Sequence, residues 1–208
     1  MTAAGLRWLG DTGFDLQWTR GAQQGSAPAP PQPPSPEERY RQLLAEGVRD
    51  ATSGNVQAAQ QKLREAARLA PNDPAPHAAL FSLALERFRN YSEAFDEGAK
   101  AIELGGEIGF AVVRDDPTAL GRLTLSRKAV SFRPDRGAAG FTVAVRDLRE
   151  VSRNRGVMRG LLRNVTPGRD RGAASFRVRT EAQRYDFTPR SGAPEESDLV
   201  VRLVEAMQ

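Results

Sequence analysis

The feature that most constrains the fold is a regular alternation of apolar and polar residues between Gly121 and Phe187. Successive side chains of a strand point to opposite faces, so this alternation indicates strands with one buried face. Segment 134–137 reads PDRG, a turn in which proline presets φ and glycine accepts a positive φ. The alternating apolar residues are Leu123, Leu125, Val130, Phe132, Phe141, Val143 and Val145. Together they predict an antiparallel meander in the C-terminal half of the chain.

Further strands and a final helix are predicted on both sides of this meander. Leu148 and Val151 are expected to close a turn. Polar residues at 195–198 predict the start of a last helix. Its apolar face consists of Leu199, Val200, Leu203, Val204 and Met207. The expected strands run near 108–113, 120–126, 128–134, 140–146 and 157–165, near Phe176 and Val178, and near Tyr185 and Phe187.

The N-terminal half is predicted to be helical and internally repeated. Ser35 and Pro36, followed by two glutamates, are typical of a helix start with a capping hydroxyl and acids in the first turn. Ala59 and Ala94 lie thirty-five residues apart in the matching segments GNVQAA and RNYSEA, and each is followed by an amphipathic helix. A period near this length is typical of repeats built from two helices.

These positions resemble the tetratricopeptide repeat. In the second unit the pattern departs at Ser82, which replaces the helix-crossing glycine, and at Gly106, which replaces the closing proline. The resemblance implies two repeat-like hairpins over 37–106, and the alternative is two unrelated helical hairpins. The residues on signature positions are Leu43, Gly47, Ala59, Leu63, Ala66 and Pro71 in the first unit and Phe81, Leu85, Tyr91 and Ala94 in the second.

The second hairpin lacks the element that usually ends such an array. Two units are fewer than the three that normally bury a continuous core, and no polar capping helix follows Leu104. The apolar face of the last repeat helix must therefore be covered by the C-terminal domain, by the N-terminal segment or by a second protomer. The third case would be a homodimer through the second repeat.

Residues 1–36 are predicted to lie outside both domains. Segment 1–20 contains both tryptophans and a hairpin-like alternation, and it is expected to dock on another element or to be disordered. Segment 21–36 is a proline-rich linker. The sequence shows neither a signal peptide nor an apolar run that could span a membrane, so we expect a cytoplasmic protein, with a membrane-peripheral location as the alternative.

The order of elements in the C-terminal half resembles the pleckstrin-homology superfold, and its residues resemble the GRAM-like branch. The motifs are 121–125 (GRLTL), 130–132 (VSF), 141–143 (FTV), 147–151 (DLREV) and 184–187 (RYDF). The resemblance implies an α+β protein of two domains. Tetratricopeptide-like hairpins at 37–106 would precede an antiparallel β-sandwich or partly open barrel at 107–208, capped by the C-terminal helix. Such motifs are patterns of core residues, so they indicate fold more than function.

Charge is distributed unevenly along the chain. Residues 1–106 carry eleven Lys and Arg against thirteen Asp and Glu, and residues 107–208 carry nineteen against thirteen, so the net charges are −2 and +6. An anionic partner of the C-terminal half would explain this difference, and so would a genome that prefers arginine codons. The candidate partner-binding residues are Arg146, Arg149, Arg153, Arg155, Arg159 and Arg163.

Contact with anionic lipid is expected to be weak. In pleckstrin-like lipid binders, the loop after the first strand carries basic residues that hold the head group. Here Asp115 and Asp116 occupy that loop, where their carboxylates would repel phosphate.

The sequence contains no motif of enzyme chemistry. It has no cysteine, and its one histidine, His77, cannot build a zinc site of three or four ligands. Dinucleotide-binding, P-loop, zinc-protease and nucleophile-elbow motifs are not found. We therefore expect a non-enzymatic adaptor that binds protein or peptide partners, without a cofactor and without a nucleic-acid partner. The alternative is a peripheral membrane or phospholipid-binding protein that uses the basic C-terminal domain.

Overall fold

The computed structural model describes residues 33–115, 118–137, 139–154 and 174–208. The chain separates into Met1–Pro33 and Pro34–Gln208, and the description concerns the second of these units. Its described part is α+β, with helices first, then an antiparallel sheet and then a last helix, as predicted. The expectations for 1–20, for most of 21–36 and for a strand at 157–165 lie outside the described residues.

The helical part consists of two hairpins. In the first, α1 (Pro36–Ser53) is followed by α2 (Val56–Leu69). In the second, α3 (Pro74–Leu83) continues into a π-helical turn, Ala84–Phe88, before α4 (Tyr91–Glu103).

The predicted start of α1 is confirmed. The hydroxyl oxygen of Ser35 accepts a hydrogen bond from the Glu38 amide at 3.2 Å, and the Glu38 carboxylate accepts one from the Ser35 amide at 2.8 Å. This reciprocal pair satisfies two amides that the helix itself leaves without partners. Pro36 occupies the first turn, where its missing N–H has no consequence.

Small residues allow the helices of each hairpin to approach closely. A methyl group added to Gly47 in α1 would lie 2.8 Å from Leu63 Cγ in α2. In the second hairpin, a methyl group on Gly98 would lie 2.9 Å from Phe81 Cδ2. Ala59 is completely buried in the first hairpin. These contacts explain why the chain carries small residues at these positions.

The sheet of the described residues has seven antiparallel strands in the order β4-β3-β2-β1-β7-β6-β5. The strands β4 and β5 are its two edges and do not pair with each other, so the sheet is not closed. A single 3-10 turn, Val145–Asp147, lies between β4 and β5 along the chain. The strands are β1 (Glu107–Asp115), β2 (Thr118–Ser126), β3 (Ala129–Pro134), β4 (Phe141–Ala144), β5 (Glu150–Arg153), β6 (Phe176–Arg179) and β7 (Arg184–Pro189).

The prediction that Val151 closes a turn is wrong, because Val151 lies within β5. Segment 150–153 reads EVSR and contains one large apolar residue, too few for an alternation to be recognised. The strand forms because β6 pairs with it, with Val151 opposite Val178. Leu148 does lie in the connection between β4 and β5, where it is buried.

The last helix, α5 (Pro194–Glu205), packs into the core as its apolar pattern predicts. Its side chains at Leu199, Val200, Leu203 and Val204 are each at most 1% exposed. Met207 follows the helix and is partly buried against the same core.

One apolar core joins the second hairpin to the sheet and to α5. Phe81 meets Phe110 of β1 edge to face, with ring centroids 5.3 Å apart. The Arg202 guanidinium of α5 lies 4.1 Å from the ring centre of Phe95 in α4. The sheet and α5 of the same chain therefore cover the apolar face of the second hairpin. The predicted homodimer through the second repeat and the predicted domain boundary between 106 and 107 stay predictions, and the core described here includes residues from both sides of that boundary.

Candidate functional site

One edge of the sheet formed by the described residues is the strand β5. A groove of about 770 Å³ runs between this strand and α5. We call it the β5–α5 groove, and its lining residues are Val151, Ser152, Arg153, Asp198, Val201, Arg202 and Glu205.

The hydrogen-bonding direction of β5 follows from its pairing with β6. The Asn154 amide donates to the Ser175 carbonyl at 2.9 Å, so the amide of Asn154 points toward β6. The N–H and C=O groups of successive residues in an antiparallel strand point in alternate directions. The backbone groups of Ser152 therefore also point toward β6, and those of Val151 point away from it. The amide of Arg149 reaches the Arg179 carbonyl at 2.9 Å, so β5 begins at a bulge. The N–H and C=O of Val151 are therefore directed toward the outer edge of the sheet.

The walls of the β5–α5 groove are charged and its base is partly apolar. The Arg153 guanidinium donates to the Asp198 carboxylate at 2.8 Å and so links β5 to α5 across the groove. Val151 and Val201 are partly buried and pack against the core below. Such a surface offers backbone hydrogen bonds along one side and small apolar contacts beneath them.

A polar cluster on β6 and β7 supports the same edge. Asp186 accepts hydrogen bonds from Arg177 Nε at 2.8 Å, Arg184 Nε at 2.9 Å and Asn154 Nδ2 at 3.1 Å. Burial alone would raise the pKa of Asp186, but these donors outweigh it and the pKa is lowered. The carboxylate therefore stays ionised and ties the end of β5 to β6 and β7.

The predicted arginines fall into separate places. Arg146 and Arg149 lie in the connection between β4 and β5, whereas Arg153 lies in the β5–α5 groove. The structure therefore brings the first two together and not the third. Arg155, Arg159 and Arg163 lie outside the described residues.

Sequence reasoning missed Arg127 and Lys128 as members of the surface around Arg146 and Arg149. These two residues form the turn between β2 and β3, and the four basic side chains line one groove of about 750 Å³. The sequence signal was an adjacent basic pair in a turn. It could not indicate which other segment lies next to it.

The repeat-signature residues pack helices together and do not form a ligand site. Gly47, Ala59, Leu63, Ala66, Phe81, Leu85 and Ala94 are buried. Leu43 and Tyr91 are partly buried, and Pro71 is exposed between the hairpins. Tyr40, which no motif marked, donates a hydrogen bond of 2.6 Å to Asp73 and so ties α1 to the N-terminus of α3.

The described residues offer no metal centre. Within them, no group of three or more His, Cys, Asp or Glu is placed to hold a metal ion. His77 Nδ1 instead lies 2.7 Å from Glu97 Oε2, which links α3 to α4. In the same part of the chain, every helix is too short or too polar to cross a membrane.

Comparisons with known proteins include a distant structural likeness. No family model and no curated protein matches this sequence. Among solved structures, the C-terminal domain of an unknown protein from Leishmania infantum aligns with 47% of this chain and 81% of its own, at 13% identity and a TM-score of 0.32. A likeness at this score carries no argument about fold or function.

Proposed function

We propose that this chain is a non-enzymatic adaptor that binds an extended segment of a partner protein along the outer edge of β5. The observation that carries the proposal is the position of β5, at the end of the sheet and beside the β5–α5 groove. An extended peptide can add to such an edge through backbone hydrogen bonds, while neighbouring side chains select its sequence.

Two resemblances support this proposal. We assign α1–α4 to a pair of tetratricopeptide-like hairpins, on the basis of the repeat spacing and the close approach at Gly47. We assign the sheet and α5 to a pleckstrin-like domain, since seven antiparallel strands among the described residues are followed by a packed C-terminal helix. Both are interaction folds, and we place the adaptor in the cytoplasm.

The hairpins contribute by holding one wall of the groove in place. Arg202 of α5 lies over Phe95 of α4, and the apolar face of the second hairpin is already buried against the sheet. We therefore locate the principal binding surface at β5 rather than on the repeats.

The pairing of the arginines supports an adaptor over a peripheral membrane protein. Membrane binding would use basic side chains that are free to approach anionic lipid. On the strands, Arg177 pairs with Asp186 and Arg153 pairs with Asp198, each at 2.8 Å. These carboxylates reduce the attraction that the arginines would exert on a lipid surface.

The experiment selects peptides from a displayed library on the immobilised full chain and then tests them on variants. Val151→Pro removes the outward N–H of β5 and leaves the bonds of Ser152 to β6 in place. The matched control is Thr142→Pro on β4. The Val145 amide donates to the Lys128 carbonyl, so by alternation Thr142 faces the outer edge of its own strand.

We expect the selected peptides to lose binding to Val151→Pro and to keep it with Thr142→Pro, both variants being checked by thermal melting. Val201→Glu in the opposite wall is a second variant that leaves the β5 backbone unchanged, and it should also weaken binding. Peptides that bind all three variants as well as the natural chain would contradict the proposal.

A further inference from the structure

A second surface lies at the end of the sheet where β2 turns into β3. Arg127 and Lys128 form this turn, and Arg146 and Arg149 lie in the connection that leads into β5. The Val145 amide donates to the Lys128 carbonyl at 2.9 Å, so the two segments are fixed side by side. We call the cavity lined by these four basic residues the basic groove.

The basic groove combines positive charge with an apolar base. Its volume is about 750 Å³, and Val145, Leu148 and Met207 line it together with the four basic side chains. Val145 is 9% exposed and Leu148 7% exposed, so both lie at the bottom of the groove. Ala144 and Gln208 complete its lining, which includes no Asp or Glu among the described residues.

Two exposed acids lie beside the arginines of the basic groove. Asp147 lies 3.8 Å from Arg146 and its side chain is 63% exposed, and the Glu181 carboxylate pairs with Arg149 and is 74% exposed. Arg127 and Lys128 form no ion pair within the described part of the chain. The positive charge of the groove is thus only partly neutralised.

A second cavity lies next to the basic groove, on the side of α4 and α5. It has a volume of about 420 Å³ and shares Arg127 and Met207 with the basic groove. Ala99, Ile102 and Leu203 supply apolar lining, and its one acid, Glu103, is held by Lys100 at 2.9 Å. The combined surface therefore has a basic end and a second end where apolar side chains contribute to the lining.

We infer that the basic groove binds an acidic peptide segment of a partner protein, with an apolar residue beside its acidic residues. The acidic side chains would meet the four basic residues, and the apolar residue would enter the cavity that begins at Met207. A single peptide chain can enter a concave groove, whereas a flat membrane surface would reach only its rim, where the exposed carboxylates of Asp147 and Glu181 lie beside Arg146 and Arg149. This site is separate from the outer edge of β5 and does not depend on peptide binding there.

The test uses the full chain and a short fluorescein-labelled peptide of glutamates and aspartates around one central leucine. Fluorescence anisotropy gives its Kd at low and at raised salt. The variant Arg127→Glu with Lys128→Glu reverses the charge of the turn. Arg133→Glu with Arg136→Glu makes the same change in charge at the other end of β3, where both side chains are exposed, and serves as the matched control.

We expect binding that weakens with salt, a loss of roughly tenfold or more in the turn variant, and a nearly unchanged Kd in the control. Replacing the leucine of the peptide by serine should weaken binding as well. The variant Val151→Pro should bind the peptide as the natural chain does.

Three outcomes would overturn the inference. The first is an equal affinity of the natural chain and the turn variant for the peptide, and the second is a loss of binding in Val151→Pro. The third is binding to vesicles of phosphatidylcholine and phosphatidylserine without binding to the peptide, which would assign the basic groove to a membrane surface.

Discussion

The two helical hairpins share one repeat pattern but occupy different positions in the protein. In α1 only Gly47 is buried, and polar contacts add to the packing of the first hairpin, for example those of Lys62 with Glu46 and Asp50. The second hairpin instead buries Phe81, Ala101 and several neighbours in the core that it shares with the sheet. A repeat signature therefore specifies how two helices pack on each other, and it leaves open which outer face becomes part of a larger core.

The largest difference between the two hairpins is expected when the sheet is removed. Residues 37–106 alone would expose the apolar face of the second hairpin, including Phe81 and Ile102, to water. We expect this fragment to lose cooperative unfolding or to associate through α4, measured by circular dichroism melts and sedimentation. A sharp two-state melt of a monomeric fragment would show that the hairpins do not need the sheet.

Truncation of one ring tests the same point within the full chain. Phe81→Ala should lower the free energy of unfolding by about 3–5 kcal/mol, because it removes a fully buried ring that contacts Phe110. Leu43→Ala in the first hairpin, where the side chain is only partly buried, is the control and should cost clearly less. Chemical denaturation of both variants gives the comparison, and equal losses would contradict a central position for the second hairpin.

A smaller effect on stability is expected at the hydrogen bond from Tyr40 in the first hairpin to Asp73 at the start of the second. The pKa of Tyr40 is raised to about 12, by burial and by its hydrogen bond to Asp73. Tyr40→Phe removes this bond and should cost about 1 kcal/mol. In a spectrophotometric titration the component near pH 12 should be present in the natural chain and absent from the variant, whereas Tyr91, whose pKa is also raised by burial, should titrate in both. If the highest-titrating tyrosine persists in Tyr40→Phe, the contact has been assigned to the wrong residue.

The smallest effect concerns a carboxylate at the junction between the hairpins and α5. Burial raises the pKa of Glu196, the hydrogen bond from Ser191 opposes this, and the nearby charge of Glu86 adds to it. Because the folded protein favours the neutral form of Glu196, the contribution of this group to the stability of the folded state is complete below the pKa of the unfolded side chain. It is lost as the pH rises through the raised pKa.

Glu196→Gln has nearly the shape of the protonated glutamate side chain, and its amide oxygen can still accept the hydrogen bond from Ser191. We expect it to melt slightly above the natural chain near about pH 7, with the difference vanishing toward about pH 4. Glu195→Gln, at the exposed neighbouring position, should not show this dependence. A lower melting temperature of Glu196→Gln near neutral pH would mean that the ionised carboxylate stabilises the junction.

The elements that the sequence predicted correctly carry their signals within a few residues. Ser35 with Glu38 marks the start of α1, and the glycine of the PDRG turn, Gly137, adopts a φ of +65°. The apolar face of α5 repeats with helical spacing, and Leu203 is completely buried as that pattern requires. Local hydrogen bonds and periodic burial decide such features, so they can be recognised without knowing the rest of the fold.

The strand β5 and the basic groove were decided by contacts between distant segments. Val151 lies in a strand because it pairs with Val178, and no pattern within segment 150–153 predicts that pairing. Lys128 meets the residues around Arg146 because β3 and β4 pair antiparallel, which places the ends of two loops together. By itself the sequence determined the helices, most strands and the faces they bury. The tertiary structure decided which faces meet and which edges stay open, since strand pairing and helix packing depend on partners that no local pattern identifies.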